Sequence, residues 1–198
     1  MEKYPTISEM RKEDKWPLEF ISTKSLLPIM NQLSDRFQKP LKGVEVGVCT
    51  GESIAYLLES TNKIEHITGI DPYLEYRDWH DVISQDQMDE YKRVADDNLA
   101  PHAARYTLMH KSSFEVVDEF EDQSLDFVFI DGDHSYEGAK WDMIHWYPKV
   151  RNGGLFSGHD INLAVVEKAL REFISGYNIQ VHNNNVMTTT ENAWWWIK

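Results

Sequence analysis

The chain has a single cysteine, no apolar run near the length of a bilayer span and no surplus of positive charge. Each shortage excludes something. One thiol, Cys49, leaves no intrachain disulfide framework and no CxxC metal site. Set inside a glycine loop, Cys49 reads as a small packing residue. Without about 20 consecutive apolar residues there is no membrane-spanning helix. The segment Met1-Glu-Lys-Tyr-Pro-Thr6 carries no apolar signal core, so a cytoplasmic location is expected. The 20 Lys and Arg against 33 Asp and Glu give a net charge of −13. That balance opposes binding to nucleic acid and docking on anionic lipid. A small neutral or cationic partner fits it better. Internal repeats and low-complexity tracts are also missing.

What is present suits one folded domain: 198 residues, 41% of them hydrophobic. Residues 1–21 read as an irregular arm, and 22–198 as a single domain. Ser22–Phe37 is amphipathic, with Leu26, Leu27, Met30, Leu33 and Phe37 at helical spacing. Strands are expected at 44–48, 66–70, 106–110, 125–130 and 155–158, after a turn at Asn152-Gly153-Gly154. Helices are expected at 52–60, 85–99, 114–120, 137–147 and 162–175. Two last strands, 178–182 and 192–197, follow. This alternation predicts an α/β, Rossmann-like, doubly wound sheet, mainly parallel and seven-stranded, with an antiparallel last strand. In such sheets ligands sit beyond the strand C-termini, at the switch point.

Two runs fall there. In Gly43-Val-Glu-Val-Gly-Val-Cys-Thr-Gly51, Gly47 and Gly51 allow a sharp turn and close approach to a ligand. Thr50, Glu52 and Ser53 can cap the next helix. The spacing is Glu-x-Gly-x-x-x-Gly, not the Gly-x-Gly-x-x-Gly of dinucleotide fingerprints. Glu45 before the first glycine suits a ligand carrying an ammonium group. Asp71, about 20 residues after Gly51, matches one βαβ step and can accept from both ribose hydroxyls. An ordinary strand–turn–helix with packing glycines is the plain alternative.

The second run, Phe127-Val-Phe-Ile-Asp-Gly-Asp-His-Ser-Tyr136, brings Asp131, Asp133 and His134 to a strand end, and His159 and Asp160 end the next strand. Adjacent strands lie about 4.8 Å apart. Asp131, His159 and Asp160 could therefore hold Mg²⁺ or another divalent cation. His134 is the candidate base, because an imidazole titrates near neutral pH. The alternatives are hydrogen bonds from Asp131 to backbone amides or the cofactor, a helix cap for Asp133 and a structural hydrogen-bonding role for His134. Trp79 with Tyr76, in the 73–100 insertion, could wall an acceptor pocket. The run Trp194-Trp195-Trp196 must alternate faces and reads as packing or a subunit contact, which permits a homodimer.

These runs, with Gly69-Ile-Asp-Pro72, Ser113-Phe-Glu115 and Gly153-Gly-Leu-Phe-Ser-Gly-His-Asp160, resemble the class I S-adenosylmethionine-dependent methyltransferases, and within them the methyltransferase-24 group of small O-methyltransferase-like proteins. The resemblance implies transfer of a methyl group from S-adenosylmethionine to a small-molecule acceptor, at a hydroxyl oxygen. It implies that Glu45, Gly47 and Gly51 line the methionine end and that Asp71 holds the ribose. Pro72 and Tyr73 would lie beside the adenine, with Ser113 near its amino group; Ser113 as a helix N-cap is the alternative. Related metal-dependent enzymes carry metal acids at the positions of Asp131 and 159–160, and a basic residue at that of His134. This chain departs from them with His159. A non-catalytic cofactor-binding module and an NAD-linked oxidoreductase are the rival readings.

Overall fold

The computed structural model describes residues 23–77, 82–177, 179, 187–188 and 192–198, with the backbone alone given for 187–188. Its helices are α1 (Leu27–Phe37), α2 (Glu52–Ser60), α3 (Gln85–Leu99), α4 (Ser113–Val116), α5 (Tyr136–Trp146) and α6 (Ala164–Gly176). Its strands are β1 (Leu41–Val46), β2 (Ile64–Ile70), β3 (Tyr76–Arg77), β4 (Val82–Ile83), β5 (Tyr106–Met109), β6 (Leu125–Ile130), β7 (Val150–Gly158), β8 (Met187–Thr188) and β9 (Trp194–Ile197).

Seven strands form one sheet in the order β5-β2-β1-β6-β7-β9-β8. The first five are parallel, and β9 runs antiparallel to both of its neighbours. The expected architecture is therefore the observed one. The chain winds from β1 outward to β2 and β5, then returns to β6 on the other side of β1. The switch point lies between β1 and β6, where Val46 pairs with Ile130.

Strands covered on both faces need continuous apolar sequence. In β6 all six residues are buried. Val128 and Ile130 enter one core with Trp146, Phe156 and Phe173, and Phe127 and Phe129 enter the other with Met30, Leu57 and Leu155. The consecutive tryptophans do alternate: Trp194 and Trp196 belong to the first core, while Trp195 packs on the second. Burying each large apolar side chain contributes about 1.5–3 kcal/mol.

Two boundaries differ from expectation. β7 starts at Val150, before the Asn152-Gly153-Gly154 run, which is a bulge in the strand and not a turn into it; the register against β6 shifts there and Gly153 adopts φ +80. The last helical cap also moves: Ser112, not Ser113, caps α4, in a capping box with Glu115. The expected arm at 1–21 lies outside the described residues, as do Trp79 and the expected strand at 178–182 apart from Ile179. Among the described residues no helix is long and apolar enough to cross a membrane.

Candidate active site

A cavity of about 510 Å³ opens beyond the strand ends at the switch point, the size of a small-ligand site. Gly47, Asp71, Pro72, Ser113, Asp131 and His134 line it. Glu45, Thr50, Gly51, Ser53 and Tyr73 are not among its lining residues.

The β1 loop is built from main-chain amides. Gly47 leaves β1 with φ +84, and a Cβ there would collide with the carbonyl oxygen of Asp131. Only glycine permits that approach. Val48 and Cys49 each donate their N–H to Asp71 Oδ2 at 3.0 Å, and Tyr73 donates its N–H to Asp71 Oδ1 at 2.9 Å. Asp71 thus braces the loop itself and uses three of about four acceptor positions on its carboxylate. Asn98 on α3 donates to the Thr50 carbonyl at 2.8 Å from behind. Gly51 in the left-handed region is the N-cap of α2, with no side-chain cap bond; Thr50, Glu52 and Ser53 do not fill that role. Glu52, in the first turn, still complements the helix dipole.

Glu45 is buried on β1. Burial, and then the charge of Asp131, push its carboxyl well above the usual carboxylate range. A cation brought alongside would reverse that shift. Two expectations are corrected. Cys49 is exposed in the cavity wall with φ +49 and is not a packing residue. Tyr73, with φ +48, turns inward, is buried and donates its hydroxyl to the Cys49 carbonyl at 2.9 Å; Pro72 and Leu74 face the cavity in its place.

Across the crevice the material changes to charged side chains. His134 Nε2 lies 2.9 Å from Asp160 Oδ2 and 3.7 Å from Asp131 Oδ1. His159 Nδ1 lies 3.2 Å from Asp160 and 3.5 Å from Asp131. Burial alone would lower both imidazoles, but the close carboxylates of Asp131 and Asp160 outweigh it and push each up to about 10. The two imidazoles in turn overcome the burial of Asp160 and hold its carboxyl well below the usual range. His134 is therefore held protonated at neutral pH and is not poised there as a free base. Asp131, His134 and Asp160 offer ligand atoms within 4.8 Å of one another. With the His134 proton displaced, the donor set fits a divalent cation that accepts nitrogen as well as oxygen, with His134 in the place expected for His159.

The loop is fastened to the 73–100 insertion. Tyr76 accepts the His134 N–H at 3.1 Å and donates to Asp133 Oδ1 at 3.3 Å. Asp133 also accepts from the Ser135 N–H at 2.8 Å, and Ser135 caps α5 by accepting from Gly138 at 3.0 Å. The expected cap at Asp133 is thus displaced by two residues. Leu74, Ile83, Met88 and Tyr91 of the insertion complete an apolar wall.

A buried acid in the cavity wall also escaped the sequence reading. Asp142 on α5 is buried among Ala139, Met143 and Trp146. Burial pushes its carboxyl up to about 7 despite a hydrogen bond from Ser113, and Asp133 adds to the rise. An acid at the helical spacing of three apolar residues was the available signal.

Comparison with known proteins agrees with this architecture. A curated relative, the uncharacterized protein R132 of Acanthamoeba polyphaga mimivirus, is 28% identical over 131 residues, covering 64% of this chain and 54% of the relative. The chain thus spans about half the length of that relative. The O-methyltransferase NovP superposes with a TM-score of 0.59 at 16% identity, over 88% of this chain and 80% of NovP. A SAM-dependent methyltransferase from Aquifex aeolicus gives 0.57 at 13%, over 98% and 97%. Spermidine synthase from Thermotoga maritima gives 0.55 at 15%, over 89% and 58%. That a synthase shares the fold shows that fold alone does not fix the reaction. The family assignment comes instead from residues 44–161, which match the model of the methyltransferase-24 family, a "Methyltransferase domain". That match spans more than half the chain and contains both the Gly47 loop and the Asp131–Asp160 cluster, so the chain belongs to the methyltransferase-24 family.

Proposed function

We propose that the domain at 22–198 transfers a methyl group from S-adenosylmethionine to a hydroxyl oxygen of a small-molecule acceptor. The observation that carries this reading is the main-chain contact between Gly47 and Asp131, which joins an amide-lined cofactor loop to a charged acceptor site in one cavity. Family membership supports the cofactor, and NovP is an O-methyltransferase on the same fold.

In this reading Glu45 and the Gly47–Gly51 loop, with Thr50 and Ser53 behind it, hold the methionine end. The remaining acceptor position on Asp71 takes the ribose, and Pro72 borders the base near Ser113. Tyr73 acts from behind the wall, through Cys49. The acceptor hydroxyl lies between Asp131 and His134. His134, protonated, stabilises the charge developing on the acceptor oxygen, and the Asp131 carboxylate takes its proton as the methyl group leaves sulfur. Asp160 and Asp131 keep His134 charged and oriented, and His159 sits against the same two carboxylates. A divalent cation held by Asp131, neutral His134 and Asp160, with His159 beside them, would take the place of the imidazolium and supply Lewis acidity to the same oxygen. Fixed proximity of the two reactants supplies much of the rate. Four titratable side chains gathered beside a cofactor loop favour an enzyme over a non-catalytic module.

Calorimetric titration with S-adenosylhomocysteine, with and without Mg²⁺ or Mn²⁺, tests the cofactor. Turnover of labelled S-adenosylmethionine over a panel of phenols, catechols and sugars then tests the acceptor class. Micromolar binding and label transfer to a hydroxylated compound are expected. No binding would overturn the reading, and transfer only to amines or carbon would overturn its oxygen specificity.

A further inference from the structure

The charge of the cavity is one-sided. Among the described residues that line it there is no lysine and no arginine. Asp71, Glu75, Asp131 and Asp133 bring carboxylates, Asp142 a carboxyl pushed up to about 7, and His134 the one imidazole. Elsewhere acids find cations: Asp126 pairs with Lys39 at 2.7 Å, Asp122 with Lys149 at 2.9 Å and Glu172 with Lys140 at 2.7 Å. Within the cavity, Asp131 faces the two imidazoles, and Asp71 is spent on loop amides.

Two carboxylates are left over at the mouth. Glu75 donates its main-chain N–H to Gln85, but its carboxylate meets no described partner. Asp133 takes both of its hydrogen bonds, from Tyr76 and Ser135, on Oδ1, which leaves Oδ2 without a described partner. The two acids flank Tyr76, one as its neighbour in the chain and the other as its hydrogen-bond partner, and both are exposed.

An exposed carboxylate by itself is ordinary, because water solvates it. This pair borders the apolar wall of Ile83, Met88 and Tyr91, within a cavity of about 510 Å³. A low-dielectric wall focuses the field of the charges at its edge. That field acts on a ligand twice over, drawing in a cation and turning away an anion. A hydroxyl held between Asp131 and His134 leaves the rest of the acceptor against this wall, within reach of Glu75 and Asp133.

Building on the S-adenosylmethionine reading, we infer that the acceptor is a hydroxyl compound with an apolar body and a protonated amine, and that Glu75 and Asp133 select it over acceptors bearing carboxylate or phosphate. Both are specificity residues, and neither touches the reacting oxygen.

The test titrates the S-adenosylhomocysteine complex by calorimetry with three phenols of similar size: tyramine with an amine, tyrosol with an alcohol and hydroxyphenylacetate with a carboxylate. Tyramine is expected to bind at least about tenfold more tightly than hydroxyphenylacetate, with tyrosol between them. Raising sodium chloride from about 20 mM to about 1 M should shrink that preference to within about threefold, because charges in reach of solvent are screened. Glu75→Gln and Asp133→Asn should each reduce it about two- to threefold. Affinity for tyrosol and for S-adenosylhomocysteine should hold in both variants. Glu121→Gln is the control, since it removes the same charge from an exposed position just before β6, at the opposite end of the sheet. It should leave the preference unchanged.

Equal affinities for tyramine and hydroxyphenylacetate, or no binding of tyramine, would overturn the inference. So would a preference unmoved in both cavity variants, or one that Glu121→Gln lowers as much as they do, which would make it a property of net charge. Asp133→Asn keeps an oxygen for Tyr76 and Ser135; if it does not fold, the wild type and Glu75→Gln decide the matter. Binding of S-adenosylhomocysteine without preference for the amine defeats this inference alone, whereas no binding of S-adenosylhomocysteine defeats the methyltransferase reading beneath it.

Discussion

The two sides of the crevice solve the same problem with opposite materials. On the β1–β2 side, ligand groups would meet main-chain amides held by Asp71, and the nearest acid, Glu45, is buried and driven toward its neutral form. On the β6–β7 side, two imidazoles and two carboxylates gather within ion-pair reach of one another. The first side has a shape set by backbone, and the second has a charge set by rotamers. Perturbing the first should therefore change binding, and perturbing the second should change turnover.

The largest expected separation comes from His134→Ala. Turnover on an acceptor found in the screen should fall about 10²–10⁴-fold, while the dissociation constant for S-adenosylhomocysteine stays within about threefold. A matching loss of cofactor affinity would break the division between the two sides. Gly47→Ala should do the reverse. It forces a side chain into the Asp131 carbonyl at φ +84 and should weaken cofactor binding by about 100-fold or more. Cys49→Ala, two residues on and exposed, is the control and should change affinity by less than about threefold.

Asp71→Ala sharpens the comparison further, because it strips an acceptor from three loop amides. Cofactor affinity should drop roughly 10- to 100-fold and the melting temperature should fall with it. A drop in affinity with unchanged melting would mean that Asp71 serves the ligand and not the loop.

A further effect concerns pH and bears on stability, not on either side's ligands. The Asp142 carboxyl titrates near 7 in the folded chain, well above its unfolded value. Its neutral form is favoured by folding, so the stability it contributes is complete below about pH 4 and is lost as pH rises through 7. Between pH 5 and 8 the wild type should lose a few kcal/mol, or roughly 5–10 °C of melting temperature, relative to Asp142→Asn. Parallel melting curves for the two proteins would show that burial does not govern this carboxyl.

Much of the fold was legible because doubly covered strands must be apolar and their exits must be glycine and acid. Residues 125–136 announce a buried strand and its polar end without help from the rest of the chain. The membership of the site was partly legible: Gly47, Asp71, Asp131 and His134 all line the cavity. What spacing could not show was direction. Tyr73 turns away because its backbone is left-handed, and Cys49 turns outward for the same reason. The contact of His134 with Asp160 joins two strands through side-chain rotamers, so a histidine expected to titrate near neutral pH is pushed up to about 10 in the fold. Asp142 and Asn98 were hidden differently, as polar residues within apolar helical faces, where periodicity alone assigns them to packing.

The contact at Gly47 also separates what can diverge from what cannot. Because main chain meets main chain there, no choice of side chain at Gly47 adjusts how far apart the two sides of the crevice stand. The insertion at 73–100 meets the cavity with side chains instead. If it walls the acceptor, as in the proposed reading, descendants of this chain could exchange one acceptor for another by rewriting Ile83, Met88 or Tyr91 while inheriting the spacing at Gly47 unchanged.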